Sequence, residues 1–288
     1  MPRRSPTVAG WELMLRIREQ SKTRGIKANA IHKALDISPG YWSQVANYRG
    51  VLTEDKLEPL LGLLEFDSDE QTELRELRTI AKERAWWNEY SALFDDQLMR
   101  FYGLEDGALR IRSVDNGVIP GLLQTEDYIN ALVYSIVSTG RPTEAQQRVR
   151  ARLQRQRRLE DPDPLQLSVV IGQAALMQQV GGPDVQRQQL LHLCEMVNKH
   201  PDNLDVRVLP FDARGSIASL NAATFHLLDF GNPRLPILGW LETAIYGEIT
   251  DETTQVDALE YLYNQMRSIA LDREESSRLI KDIAARIG

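Results

Sequence analysis

The chain has 288 residues, a formal net charge of −7 and 42% hydrophobic residues, enough apolar material to bury proper cores and enough length for about two domains. No run of about 18 apolar residues is present, which excludes a membrane-spanning helix, and the single Cys194 excludes an internal disulfide framework. The opening MPRRSPTVAG has basic residues but no apolar stretch behind them, so no secretory signal is expected and a cytoplasmic location is.

The average charge hides a local split. Residues 1–50 hold nine basic residues against three acidic ones, a net +6, and residues 51–80 hold three against nine, a net −6. Such a chain can present one basic end to a polyanion while the rest repels it.

From Trp11, the residues Leu13, Met14 and Ile17 fall on one helical face, and Gly25 stands at its end. A shorter helix fits Lys27 to Leu35, with Ala28, Ile31 and Leu35 at helical spacing. Ser38 then suits an N-cap and Pro39 the first helical position, where its missing N–H costs nothing. Over 38–48 the stripe Trp42, Val45, Ala46 faces inward. It leaves Gly40, Tyr41, Ser43, Gln44 and Asn47 outward or flanking, with Gly50 placed as the stop. A fourth segment carries Leu57, Leu60, Leu61 and Leu64, and Pro59 predicts a kink or a late start there.

Short helix, tight turn and second helix with an unpaired polar face is a helix-turn-helix arrangement. A helix entering the major groove needs a small residue at its tip, here Gly40. One turn later it needs amides to reach base edges, here Gln44 and Asn47, with Ser43 beside them. Tyr41 would pack on sugar or a thymine methyl, and Lys27, Ser38 and Arg49 would hold the backbone. The same pattern also fits a four-helix domain whose third helix is merely solvated.

Residues 69–84 are highly charged, with a thin apolar stripe of Leu74, Leu77 and Ile80, and read as a connecting helix. AWWNEYSALF follows, its Trp86, Trp87, Tyr90 and Phe94 suiting the packed seam of a domain or dimer better than a stacking surface for bases. Residues 109–114 alternate like a strand, and Thr125 caps a helix burying Ile129, Leu132, Val133 and Ile136. The run TEAQQRVRARLQRQRRLED places Arg148, Arg150, Arg152, Arg155, Arg157 and Arg158 on one helix. They would either contact phosphates or form a solvated face, with Val149, Leu153 and Leu159 tying down the other side.

Further strands are predicted at 165–171, 204–209, 222–230 and 235–242, with a helix over 185–199 that buries Leu190, Leu193, Cys194 and Val197. Two helices close the chain. One carries Val256, Leu259, Tyr263, Met266 and Ala270. The other starts at Asp272 with Glu275 as a capping box and carries Leu279, Ile283 and Ile287. The fold class is therefore a mostly α N-terminal helix-turn-helix domain plus an α+β C-terminal domain. The expected division is a DNA-binding domain over 1–67, a helical, aromatic-rich linker over 68–105, and a regulatory or interaction domain over 106–288.

Catalytic chemistry is not expected. His192 and Cys194 lack a ligand spacing with any partner. There is no phosphate loop, nucleophile elbow or HExxH motif, so neither a metal nor a cofactor is predicted. The acids Glu242, Glu248, Asp251 and Glu252 suit an exposed strand and turn better than a cation site.

The segment from Trp11 to Phe66 resembles the Cro/phage-repressor (XRE) type of helix-turn-helix, best over ISPGYWSQVANYRG, where Gln44 takes the usual base-reading place. His32 stands where that pattern has a small residue, and Asp36 where it has the turn glycine. IPGLLQTEDY (119–128), RQRRL (155–159), VRVLPF (206–211) and ALDREESSRLI (270–280) are similar to segments of actinobacterial antitoxin-like transcriptional regulators. In these an XRE helix-turn-helix precedes a C-terminal domain of poorly defined role. That family often carries a Glu just after the VVI-like strand, where this chain has Gln173. The resemblance implies a regulator of a double-stranded DNA operator that works with a small partner protein. A single helix-turn-helix buries little surface, so a homodimer is expected. A small-molecule ligand at the C-terminal domain is the other expected partner, and no membrane is.

Overall fold

The computed structural model describes residues 4–136, 142–215, 224–243 and 247–287. The chain divides into two compact units, Arg3–Asn88 and Glu89–Gly288.

The first unit is helical: α1 Pro6–Thr23, α2 Ala28–Ala34, α3 Pro39–Ala46, α4 Glu54–Leu63 and α5 Ser68–Ala81. Its core joins Leu13, Met14 and Ile17 of α1 to Ile31, Trp42, Val45, Leu57, Leu60, Leu61 and Leu64. The stripes predicted for α1 and α4 are the observed ones; in α3 Trp42 and Val45 are buried with Ala46 at the edge, and in α2 Ile31 is buried, as is Leu35 at its C-cap, while Ala28 is exposed. Helix α5 is not a free-standing connector. Its Leu74 and Leu77 lie fully inside this core, and an Asp67–Glu70 capping box starts it. Accordingly the division falls at Asn88, not at 67 or 105. Pro59 does not delay α4, which begins at Glu54 and continues past it. At the sixth position of the helix, the proline forfeits the bond its N–H would have given to the Asp55 carbonyl and crowds that carbonyl.

Helices α1 to α4 all end in the same way. A residue at positive φ follows the C-cap: Gly25 at 66°, Asp36 at 49°, Tyr48 at 62° and Glu65 at 53°. In each case two backbone bonds fold back on the last turn, as in Ile37 N to His32 O at 3.0 Å and Arg49 N to Gln44 O at 2.8 Å. The apolar residues just beyond three of these turns, Ile26, Ile37 and Phe66, pack on the core. Tyr48, not Gly50, therefore stops α3. A tyrosine there costs on the order of 1–3 kcal/mol of backbone strain. Arg18 offsets it, bonding the Tyr48 hydroxyl at 2.8 Å and lying 4.9 Å from its ring centre.

The second unit is α+β. Helix α6 Asp96–Gly107 leads into β1 Arg110–Asp115. Then come α7 Glu126–Ile136, α8 Pro142–Gln156, β2 Gln166–Gly172, α9 Gln173–Met177, α10 Pro183–Lys199 and β3 Leu204–Leu209. Strands β4 Thr224–Asp229, β5 Leu238–Glu242 and β6 Gly247–Thr250 follow, and α11 Thr253–Ile269 and α12 Arg273–Arg286 close the chain. The six strands form one mixed sheet in the order β3-β2-β1-β4-β5-β6. Strands β1, β2 and β3 are parallel, while β4, β5 and β6 pair antiparallel outward from β1.

One face of the sheet packs on α11, whose Val256, Leu259, Tyr263 and Met266 meet Val114, Val170, Phe225 and Leu227. The Asp272–Glu275 capping box is formed, but α12 buries Ser276, Ile280, Ile283 and Ala284 in place of a face through Leu279 and Ile287. The reason is Ser276, whose hydroxyl accepts the Val208 N–H at 2.9 Å and turns that side of the helix inward. Thr125 accepts the Tyr128 N–H at 3.3 Å as the cap of α7, and Ile129 and Val133 are buried. The Ile136 side chain and residues 222–223 of the predicted fourth strand lie outside the described residues. Among the described residues, no helix is long and apolar enough to cross a membrane.

Candidate functional site

In the first unit, α3 sorts its residues by face. Trp42 and Val45 are buried, and Tyr41 and Ala46 pack at the edge of the core. Gly40, Ser43, Gln44 and Asn47 are exposed, as are Lys27, Lys33 and Arg49. The members of the predicted set are not equally available. The Ser38 hydroxyl caps α3 by accepting the Tyr41 N–H at 3.1 Å. Tyr41 is half-buried against the core. Asn47 donates its Nδ2 to the Ser43 carbonyl at 2.8 Å and approaches the Ser43 hydroxyl at 3.3 Å, which turns its Oδ1 outward. A Cβ on Gly40 would meet nothing closer than Ser38 Oγ at 3.9 Å, so the tip of the helix is open. Of the remaining basic residues, Arg16 is held inside by Glu73 at 2.7 Å, and the exposed Arg24 pairs with Glu65 at 2.6 Å.

The second unit holds a polar cluster that the sequence did not announce. The register puts Ser113 of β1 beside His226 of β4, and His226 beside Trp240 of β5. On this face Asp115 is buried and accepts the Ser113 hydroxyl at 2.7 Å. Glu242 lies 3.3 Å from the Trp240 indole N–H and 3.9 Å from His226 Nε2. Helix α6 covers the face. Phe101 stacks on Trp240 at 4.5 Å and approaches His226 at 5.7 Å, and Tyr102 and Phe94 continue the row of rings. A Cβ on Gly247 would fall 1.9 Å from Trp240 Cζ2, so only glycine lets the indole lie across β6.

Helix α8 packs its arginines toward this layer. Arg155 makes a two-pronged pair with Glu105 at 2.7 and 2.8 Å and lies 4.8 Å from the Tyr102 ring centre. Arg148 bonds the Leu93 carbonyl at 2.9 Å and covers Phe94. Arg158 bonds Asp161 and the Ala108 carbonyl. Only Arg150 and Arg157 of the six are exposed. The run is therefore not one solvated face, since four of its six arginines are buried or half-buried. Its Ala145, Val149 and Leu153 pack with Ile129 and Val133, and the stems of the half-buried arginines add to that packing.

Burial raises the Asp115 carboxyl above the ordinary carboxylate range, against the lowering effects of His226 and the Ser113 hydroxyl. The folded protein therefore binds this proton more tightly than the unfolded chain. Stability contributed here is present at low pH and declines as pH rises from the unfolded value through the folded one. Asp115→Asn is accordingly expected to raise the melting temperature at pH 7 and to flatten its fall above pH 4. A melting temperature lowered equally at pH 4 and pH 7 would show that the carboxylate is stabilising and that the sign is wrong.

Among the described residues, no group of three His, Cys, Asp or Glu side chains could hold a metal ion. Glu252 is occupied as the N-cap of α11. Cys194 is buried, and burial raises its thiol pKa. Gln173 accepts the Phe211 N–H at 2.9 Å, a bond that ties the end of β2 to the turn after β3.

A helical unit with one exposed polar helix face thus precedes a unit built on a mixed sheet between helical layers. The family described as a domain of unknown function (DUF5753) matches residues 98–282, from within α6 to within α12, and the chain belongs to it. No curated protein and no solved structure matches the chain.

Proposed function

We propose that the protein is a sequence-specific, dimeric, DNA-binding transcriptional regulator of the cytoplasm. Helices α2 and α3 form the helix-turn-helix of an XRE-type domain, and the second unit serves dimerisation and senses a ligand or protein partner. The observation that carries this is the exposed set Gly40, Ser43, Gln44 and Asn47 on the outer face of α3, and the exposed Lys27, Lys33 and Arg49 would hold phosphates. Gln44 is the best bidentate reader of an adenine edge. Asn47, held by Ser43, offers its Oδ1 as an acceptor. The resemblance to antitoxin-like regulators favours a second reading, in which the main target is a small partner protein and DNA binding serves autoregulation.

Fluorescence anisotropy on DNA from upstream of the protein's own gene, against random DNA at several salt concentrations, tests the first reading. Gln44→Ala is expected to lose about 1–3 kcal/mol of the preference for the specific site while leaving the salt-dependent binding to random DNA in place. Equal, weak binding of both DNAs by both proteins would reduce α3 to a solvated surface and move attention to the protein partner.

A further inference from the structure

The last carbonyls of a helix must find partners outside its regular ladder, and those of the last turn of α3 all do. Ser43 O accepts the Asn47 N–H at 3.0 Å, Val45 O that of Tyr48 at 3.0 Å and Gln44 O that of Arg49 at 2.8 Å. The remaining one, Ala46 O, is reached from another helix, where Arg18 of α1 donates its Nη2. The same guanidinium donates Nη1 to the Tyr48 hydroxyl at 2.8 Å and lies 4.9 Å from the centre of that ring. Arg18 therefore grips the two residues on either side of Asn47. A cation at this place also faces the negative end of the helix dipole.

The ends of α2 and α4 are held in a similar way. Lys56 of α4 donates to the Leu35 carbonyl at 3.0 Å, and Gln20 of α1 to the Leu64 carbonyl at 2.9 Å. The end of α3 differs in the residue that takes the left-handed backbone. After α1, α2 and α4 that residue is Gly25, Asp36 and Glu65, and after α3 it is the aromatic Tyr48, a bulky side chain for which the conformation is an outlier. A glycine there would close the turn with its own backbone bonds. With tyrosine, the turn depends on a group from α1. Backbone outliers held by their surroundings cluster where function needs a fixed geometry, and this one stands between Asn47 and Arg49.

We propose that Arg18 is a positioning residue for DNA reading: by holding Ala46 and the strained Tyr48, it sets the direction in which Asn47 and Arg49 leave the end of α3. The inference rests on the DNA-reading role of α3 proposed above, and it makes the specificity of that helix depend on a residue outside it. Arg18 acts through Ala46 and Tyr48, and touches neither a base nor a phosphate.

Arg18→Met keeps the aliphatic stem, and because Arg18 is exposed the variant is expected to fold. In fluorescence anisotropy with the full chain, its preference for DNA from upstream of its own gene over random DNA should fall about tenfold. Binding to random DNA and its dependence on salt should stay as in the wild type. Amide hydrogen exchange at Asn47, Tyr48 and Arg49 should accelerate, while Ile17, Leu57 and Leu60 stay protected. Adding Tyr48→Gly to Arg18→Met relieves the strain, and should restore most of both the preference and the protection. The proposal is overturned if Arg18→Met keeps the preference, or if Tyr48→Gly restores nothing. It is also overturned if both DNAs are lost equally with a salt slope reduced by about one, because Arg18 is then a phosphate contact. A wild type without preference for its own DNA overturns the DNA reading itself; unchanged exchange at 47–49 in Arg18→Met overturns the grip on α3, so the two failures are told apart.

Discussion

Replacing Glu105 by Ala is expected to destabilise the second unit by about 3–5 kcal/mol, measured as a fall in the urea midpoint at unchanged slope. The Arg155–Glu105 pair is two-pronged, with side chains only 12% and 3% exposed. Burial works against the Arg155 charge, and Glu105 outweighs it, so the guanidinium holds its proton more tightly than usual. Taking Glu105 away leaves that cation in a layer of rings, with Tyr102 and Phe101 as its remaining neighbours, and cation–π contacts of about 1–2 kcal/mol do not replace a carboxylate. The double variant Glu105→Leu with Arg155→Met removes both charges and both desolvation costs, so it should recover most of the loss and come close to the wild type. If Glu105→Ala costs less than about 1 kcal/mol, the pair behaves as a surface pair does, and its place between α6 and α8 is wrong.

What could be read from the sequence, and what could not, divides along the range of the interactions. The α3 segment was legible because all its determinants are local: Ser38 caps, Pro39 starts and Trp42 and Val45 face inward within eight residues. Its end was misplaced because glycine is only the cheapest residue for a left-handed position. Tyr48 takes that position with help from Arg18, thirty residues away, which no local rule contains. The strands were found from their alternation, and β6 was foreseen only as an exposed strand and turn. Their order was not, since nothing in a strand's pattern says that β1 lies between β2 and β4. The polar cluster was hidden for the same reason. Ser113, Asp115, His226 and Glu242 are scattered over 130 positions, and each alone has an ordinary reading. Only the register of β1, β4 and β5 brings them to one face. The cue that was available was the arginine run, whose spacing puts 148, 152 and 155 on one side of a helix. The sequence alone reads it as a surface, because charge usually means exposure.

Trp42→Ala is expected to cost the first unit about 3–5 kcal/mol, the range for removing a large buried aromatic, and to separate the folding of α3 from any role in recognition. Helices α2 and α3 have seven and eight residues, too short to persist on their own, so their position depends on what they bury. That is little: Ile31 on α2, Trp42 and Val45 on α3, and Leu35 at the turn. Trp42 is the largest of the four, and its loss leaves a cavity beside Ile31 and Val45 that two short helices tied to a turn at Asp36 cannot close by small shifts. Amide hydrogen exchange should therefore accelerate across 28–47 ahead of α1 and α4, whose Ile17, Leu57, Leu60 and Leu61 remain fully buried. Gln44→Ala, on the exposed face one turn away, should stay within about 0.5 kcal/mol of the wild type. A variant that loses DNA together with exchange protection has lost the platform, while one that loses DNA with protection intact has lost a contact. If Trp42→Ala leaves the exchange of 28–47 unchanged, the inner face of α3 is not what holds it, and the exposed face described for Gln44 and Asn47 no longer follows from the packing.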